Sequence, residues 1–168
     1  MRYLDNVNQS ITERRDIVIE TAFKLFAENR IEPVTMIVVA NNCNMGVASI
    51  YRYFGTKKEL VIAVATKKWR EYYGELQRHY NELYVENMTA AQELEFYIDR
   101  YIDLYKENSD LLNFNANFSI YIGSEDTTKD EMKPYNSIID KFVNKFHVLY
   151  KKAQDDKTVP VSYTHLRA

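Results

Sequence analysis

The sequence predicts an all-α protein: an N-terminal three-helix head of helix-turn-helix type, joined through a long helix to a helical body. Only 4 glycines and 3 prolines occur in 168 residues, too few breakers for a chain of short strands and tight turns. Apolar residues recur at three- and four-residue intervals, the period of one helix face. Helix-start signatures of the S/T-x-x-E/Q kind stand at Ser10–Glu13, Thr56–Glu59 and Thr89–Gln92.

The first helix is expected from about Thr12 to Asn29, with Ile17, Val18, Thr21, Ala22, Leu25 and Phe26 on its inner face. Pro33 disfavours helical backbone at Glu32, so a second, short helix starts at Thr35 and turns Met36, Val39 and Ala40 inward. Asn41, Asn42 and Asn44 crowd its end, and asparagine tolerates the left-handed backbone of a sharp turn. A third helix, from about Gly46 to Phe54, presents Val47 and Ile50 to one side and Ala48, Ser49 and Arg52 to the other. Gly55 stops it, and the fourth begins at once.

Short helices joined by so tight a turn make a helix-turn-helix unit, whose later helix enters the major groove of DNA. Its exposed face needs small residues that let the backbone approach, and Gly46, Ala48 and Ser49 supply them. Tyrosine hydroxyls, Arg52, Lys57 and the amides opening the fourth helix are suited to hold phosphates. No acid occurs between Tyr51 and Lys58. Phe54 is read as a core residue between the first and fourth helices. The competing reading has Tyr51 and Tyr53 merely sealing a small hydrophobic core.

The segments "RRDIVIETAFKLFAEN" and "TMIVVANNCNMGVASIYRYFGTKKEL" resemble the DNA-binding domain of the TetR family of bacterial transcriptional regulators. The resemblance covers roughly residues 12–62 and rests on Ala22, Leu25, Phe26, Ala40, Ser49, Ile50, Tyr51, Tyr53, Phe54, Thr56, Lys57 and Leu60. It implies that Thr35, Ser49, Tyr51, Tyr53 and Lys57 contact DNA, and that Gly46, Val47, Ala48 and Ser49 read base edges. The chain departs from the family at Arg30-Ile31, where Gly-Tyr or Gly-Phe is usual, at Val38, usually acidic, and at Asn44-Met45-Gly46, usually Gly-Val-Ser. With so few hydrogen-bonding side chains on the third helix, specificity is expected to lean on thymine methyls, Ser49 and DNA shape, with Arg52 available to a guanine.

Beyond Leu60 the chain reads as long helices. The fourth is expected to run to about Tyr84 with a stripe of Trp69, Tyr72, Tyr73, Leu76, Tyr80 and Leu83. A fifth covers Ala90 to Lys106 with Leu94, Tyr97, Ile98, Tyr101, Ile102 and Tyr105, and a sixth covers Asp110 to Ile122 and ends at Gly123. A seventh turns Tyr135, Ile138, Ile139, Phe142, Phe146, Leu149 and Tyr150 inward. The family resemblance implies a small-molecule pocket in this body, and 14 tyrosines suit an aromatic pocket with polar tips. Candidate lining residues are Trp69, Tyr73, Tyr101, Tyr105, Phe114, Asn117, Phe118, Tyr121 and Phe142. Asn115 and Asn117 interrupt an apolar helix, and a buried amide needs a partner.

Composition excludes several classes. No apolar run approaches the length that spans a bilayer, and the N-terminus lacks the apolar core of a secretory signal, so a cytoplasmic location is expected without a membrane partner. The formal charge of −2 gives no global attraction to nucleic acid, so a local patch must do the binding. Cys43 cannot form an intramolecular disulfide and reads as a packing residue. Glu75, His79 and Glu82 share a helix face but read as solvated, and His147 and His165 have no companions. With no phosphate loop, nucleophile elbow or paired cysteines, neither an enzyme, a metal nor a cofactor is expected.

The expected organisation is an arm at 1–11, the DNA-binding head at 12–60, a regulatory body at 61–153 and a polar tail at 154–168. Family members usually continue with two further helices that pair across a two-fold axis. The last eight residues, "VSYTHLRA", resemble translated adaptor read-through, so the natural frame is expected to be lost near Pro160. Expected partners are a double-stranded operator, a small effector and, given a complete C-terminus, a second copy of the chain. The runner-up function is a helical bundle whose head binds a protein instead of DNA.

Overall fold

The computed structural model describes residues 2–83 and 88–159. The elements are α1 (Arg2–Asn29), α2 (Met36–Asn42), α3 (Val47–Tyr53), α4 (Lys57–Leu83), α5 (Ala90–Glu107), α6 (Ser109–Ser124) and α7 (Lys129–Asp155). Tyr84 and the tail from Pro160, His165 included, lie outside the described residues.

In α1, Val18, Ile19, Ala22 and Phe26 are buried at helical spacing. Two expectations fail there. The helix begins at Arg2 and not near Thr12, so the Ser10–Glu13 pair lies inside it; no proline or glycine in that stretch opposes the helix. Ile17 is exposed, because the buried face is centred on Val18 and Ala22, about 100° further round. Arg30 ends α1 with φ of 65°, the left-handed conformation for which glycine is the usual choice. Its successor Ile31 is completely buried.

Thr35 caps α2, its hydroxyl accepting a hydrogen bond from the Val38 amide at 3.2 Å. Asn44 takes φ of 53° in the turn, the left-handed geometry expected of it. Met45 N–H reaches the Ala40 carbonyl at 3.0 Å and closes the turn. Helix α3 is anchored by Ile50 and, at its C-cap, by Phe54, both essentially inaccessible. At the start of α4 the Thr56 hydroxyl accepts from the Glu59 amide, while the Glu59 carboxylate accepts from Gly55 N–H, one residue earlier than a standard capping box requires.

Helix α4 is the centre of the molecule. Leu60, Val61, Ile62, Val64, Ala65 and Thr66 are all buried, because α1, α6 and α7 cover it from different sides. The Thr66 hydroxyl donates to the Ile62 carbonyl at 2.7 Å and leaves no unsatisfied group there. Leu83, expected in the stripe, is exposed: it lies at the far end of α4.

One continuous core joins the head to the body, across the expected boundary at residue 60. Phe114 of α6 meets Phe23 edge-on at 5.6 Å between ring centroids and stacks on Phe26 at 6.4 Å. On α5 the inner face is Ala90, Glu93, Tyr97 and Leu104, whereas Ile98, Tyr101, Ile102 and Tyr105 are exposed. The buried Glu93 carboxylate accepts from the Tyr80 hydroxyl at 2.8 Å and lies 3.5 Å from Lys145 Nζ. Helix α6 runs through Gly123 to Ser124 without a left-handed residue, so Gly123 does not end it. Helix α7 opens with a Thr128–Glu131 capping box and buries Ile138, Leu149 and Ala153, with Tyr150 exposed next to Leu149. Among the described residues no helix is long and apolar enough to cross a membrane.

Two outcomes follow from this packing. Phe114→Ala is expected to cost about 3–5 kcal/mol and to lower a single melting transition, with helical circular dichroism and tryptophan emission falling together. Arg30→Gly is expected to raise stability by about 0.5–1 kcal/mol in urea denaturation, since it relieves a left-handed residue at an exposed position.

Candidate nucleic-acid interface

Helix α3 separates its residues sharply. Ile50 and Phe54 are buried, Val47 and Ser49 are half-buried, and Gly46, Ala48, Tyr51 and Arg52 are exposed. Tyr51 is 49% exposed, so it does not seal the core; Tyr53 is half-buried against it. A Cβ placed at Gly46 would meet no protein atom within 4 Å, so packing does not demand a glycine there. Thr35 lies exposed at the start of α2 while its hydroxyl caps the helix. Cys43, in the turn, is half-buried against the head core as a packing residue would be.

The cations around α3 are unequally free. Arg52 reaches over the Tyr53 ring at 5.8 Å. Lys57 Nζ donates to the Glu32 carbonyl at 2.8 Å and sits over the Tyr121 ring at 5.4 Å. Burial lowers its pKa from the ordinary lysine value, and a phosphate would have to compete with the Glu32 carbonyl for it. Lys58 is bound to the body, 2.7 Å from a Glu131 carboxylate oxygen and 2.8 Å from the Asp126 carbonyl. Arg15 lies over the Phe54 ring at 4.7 Å.

The body holds a cavity of about 510 Å³ bounded by α4, α5, α6 and α7. Of the expected lining residues, Trp69, Tyr101, Tyr105 and Phe142 surround it. Tyr73 stands outside, edge-on to Phe142 at 5.0 Å with Lys141 over its ring. Phe114, Phe118 and Tyr121 are buried in the core instead of at the cavity wall. Asn117 donates its amide to the Asn113 carbonyl on its own helix at 2.8 Å. Asn115 is the amide that matters here: it lines the cavity, and its Oδ1 accepts from Trp69 Nε1 at 3.1 Å. Leu112, Tyr135, Ile139 and Phe146 also line the cavity and were absent from the expected set; the spacing of 135, 139, 142 and 146 on α7 is the signal that points to them. Among the described residues no cluster of His, Cys, Asp or Glu is arranged to hold a metal.

Residues 18–64 match the family model for bacterial regulatory proteins of the tetR family. Over that span the head is similar to the N-terminal domain of this family. Solved regulators share its arrangement with the body. The fatty acid degradation regulator FadR from Bacillus halodurans is similar with a TM-score of 0.64 at 14% identity, over 86% of this chain and 69% of that one. A protein described as a transcriptional regulator from Saccharomonospora viridis, in complex with choline, gives 0.67 at 17%, over 86% and 72%. A TetR/AcrR-family regulator gives 0.63 at 16%, over 90% and 77%. At these identities the likeness establishes the TetR-type fold, in which a helix-turn-helix head rides on a helical body. The comparison with curated proteins gave no match.

The junction between the TetR-type head and the body contains the Lys58–Glu131 ion pair. Hydrogen bonds from Lys58 and from the Thr128 backbone and hydroxyl hold the Glu131 carboxyl at about 2, below its ordinary value of 4.5. A carboxylate depressed in the folded state adds stability that is complete above the unfolded value and is lost as the pH falls through the folded one. Glu131→Gln is therefore expected to melt below the parent chain at neutral pH, with the difference shrinking between about pH 4.5 and about pH 2 in a thermal series.

Proposed function

We propose that this chain is a ligand-responsive transcriptional repressor that binds a palindromic operator as a homodimer in the cytoplasm. The observation that carries the reading is the division of α3. Ile50 and Phe54 fix the helix to the head, while Ala48, Tyr51 and Arg52 are left to solvent around a glycine that packing does not require. Such a face admits a DNA backbone closely.

In this reading Gly46, Val47, Ala48 and Ser49 lie against base edges, where small side chains read thymine methyls and groove shape. Thr35, Tyr51, Tyr53 and Arg52 bind phosphates, and Lys57 joins them by exchanging the Glu32 carbonyl for a phosphate oxygen. Two heads meet half-sites about one helical turn, roughly 34 Å, apart. The exposed apolar residues of α5 and α7, Ile98, Ile102, Val143 and Val148 among them, offer surface to a second copy. A light-scattering mass equal to one chain at micromolar concentration would remove the dimer from this proposal.

The effector site is assigned to the body cavity. A second cavity, of about 390 Å³, lies between α1, α4 and the start of α7, but several of its charged groups already pair within the protein. Lys67 lies 2.9 Å from Asp16, and Glu131 is bound to Lys58. The aromatic body cavity has no such internal pairing, and one similar fold was solved with a small organic molecule. Occupancy of the cavity releases or engages the operator through α4, which carries Trp69 at the cavity and Lys57 at the head.

Selection from a random duplex library at moderate salt is expected to enrich a palindrome. Tyr51→Ala is expected to reduce operator affinity by about 10- to 100-fold, the worth of a hydrogen bond to a charged group, with the helical signal unchanged. Arg52→Ala is expected to lower the slope of log affinity against log salt by about 1. Binding that hardly responds to salt would instead favour a head that docks on protein.

A further inference from the structure

We infer that the body cavity takes an organic cation of the quaternary-ammonium kind, held on aromatic faces without a carboxylate counter-ion. This rests on the reading of that cavity as the effector site. Its wall contains six aromatic side chains, Trp69, Tyr101, Tyr105, Tyr135, Phe142 and Phe146, and no charged one. A carboxylate or phosphate ligand would be desolvated there without any cation to pair with. A methylated ammonium loses less on leaving water than a primary one, because it has no N–H bonds to give up. It then gains the electrostatic attraction of each ring face it touches.

The rest of the body makes the same use of its rings. Lys141 lies over Tyr73, and Lys145 lies over both Tyr80 and Tyr97 at 4.9 and 5.3 Å. Among the described residues every cation–π pair falls on a ring outside the cavity wall. The six cavity rings are thus a concentration of aromatic surface with no protein cation on it. Long-range charge has the matching sign: residues 61–159 contain 17 aspartates and glutamates against 13 lysines and arginines. The one amide in the wall, Asn115, holds Trp69 through its carbonyl oxygen. Trp69 is thereby fixed at the cavity edge as one member of the cage.

Trp69 is also the only tryptophan in the chain, so all tryptophan emission arises at the wall of this cavity. The test titrates the full 168-residue protein with three probes, following Trp69 fluorescence and calorimetric heat in parallel. The probes are choline, its neutral carbon isostere 3,3-dimethylbutan-1-ol, and octanoate. Choline is expected to bind at least about 5-fold more tightly than the isostere, with octanoate weakest. Tyr105→Leu keeps apolar bulk at a position that is 63% exposed, so it folds. It is expected to weaken choline by about 2- to 5-fold and the isostere by less. Equal or tighter binding of the isostere or of octanoate would overturn the cation assignment while keeping the cavity as the ligand site. No response to any probe by either method, from folded protein, would overturn the cavity reading itself and this inference with it.

Discussion

Phe114 sits between two elements that could otherwise have folded apart. Its ring is completely buried, in contact with Phe23 and Phe26 of α1, and this ties the body to the same hydrophobic core that fixes α3. Because α1 also covers α4, the crowded stretch from Leu60 to Thr66 is closed on several sides and has no slack. Close-packed interiors of this kind do not deform continuously; they shift as units. The orientation of α3 is therefore set by side chains that belong to the body as much as to the head.

Charge is used inward more than outward. Lys67 faces Asp16, Glu20 and Glu71, and Lys58 is committed to Glu131 and Asp126. Each such solvent-screened pair contributes little by itself, yet together they orient α4 against α1 and α7. What remains near α3 is modest: Arg52, exposed tyrosine and threonine, and backbone amides. With a net charge of −2 and Lys57, Lys58, Lys67 and Lys68 engaged within the protein, the proposed DNA contact rests on close approach and groove shape more than on a broad basic field.

Local chemistry was legible wherever it was punctuated. The Thr35 and Thr89 caps, the left-handed Asn44, the burial of Phe54 and the short α2 and α3 could all be read from residue type and spacing. The start of α1 was not, because a cap signature marks a permitted start and does not forbid helix before it. On α5 the periodicity was sound but the face was wrong. The buried side contains Glu93, which a hydrophobic pattern rejects; the Tyr80 hydroxyl, Lys145 and Lys152, distant in sequence, make its burial tolerable. The cavity was half legible for a related reason. Phe114 and Asn115 are neighbours about 100° apart on α6, and an aromatic at helical spacing serves a core and a cavity wall equally well. Which one faces α1 is decided by the tertiary contact.

Helix α4 is a single unbroken rod with the cavity at one station and the head at another. Twelve residues separate Lys57 from Trp69, about 18 Å at about 1.5 Å per residue. Tilting the rod by about 5° around its Trp69 end carries the Lys57 end through about 1.6 Å. In the proposed dimer, two copies tilting in opposite senses would change the span between their heads by about 3 Å, close to the ~3.4 Å step from one base pair to the next. On that reading, a displacement smaller than a side chain takes one half-site out of register while the other is still held.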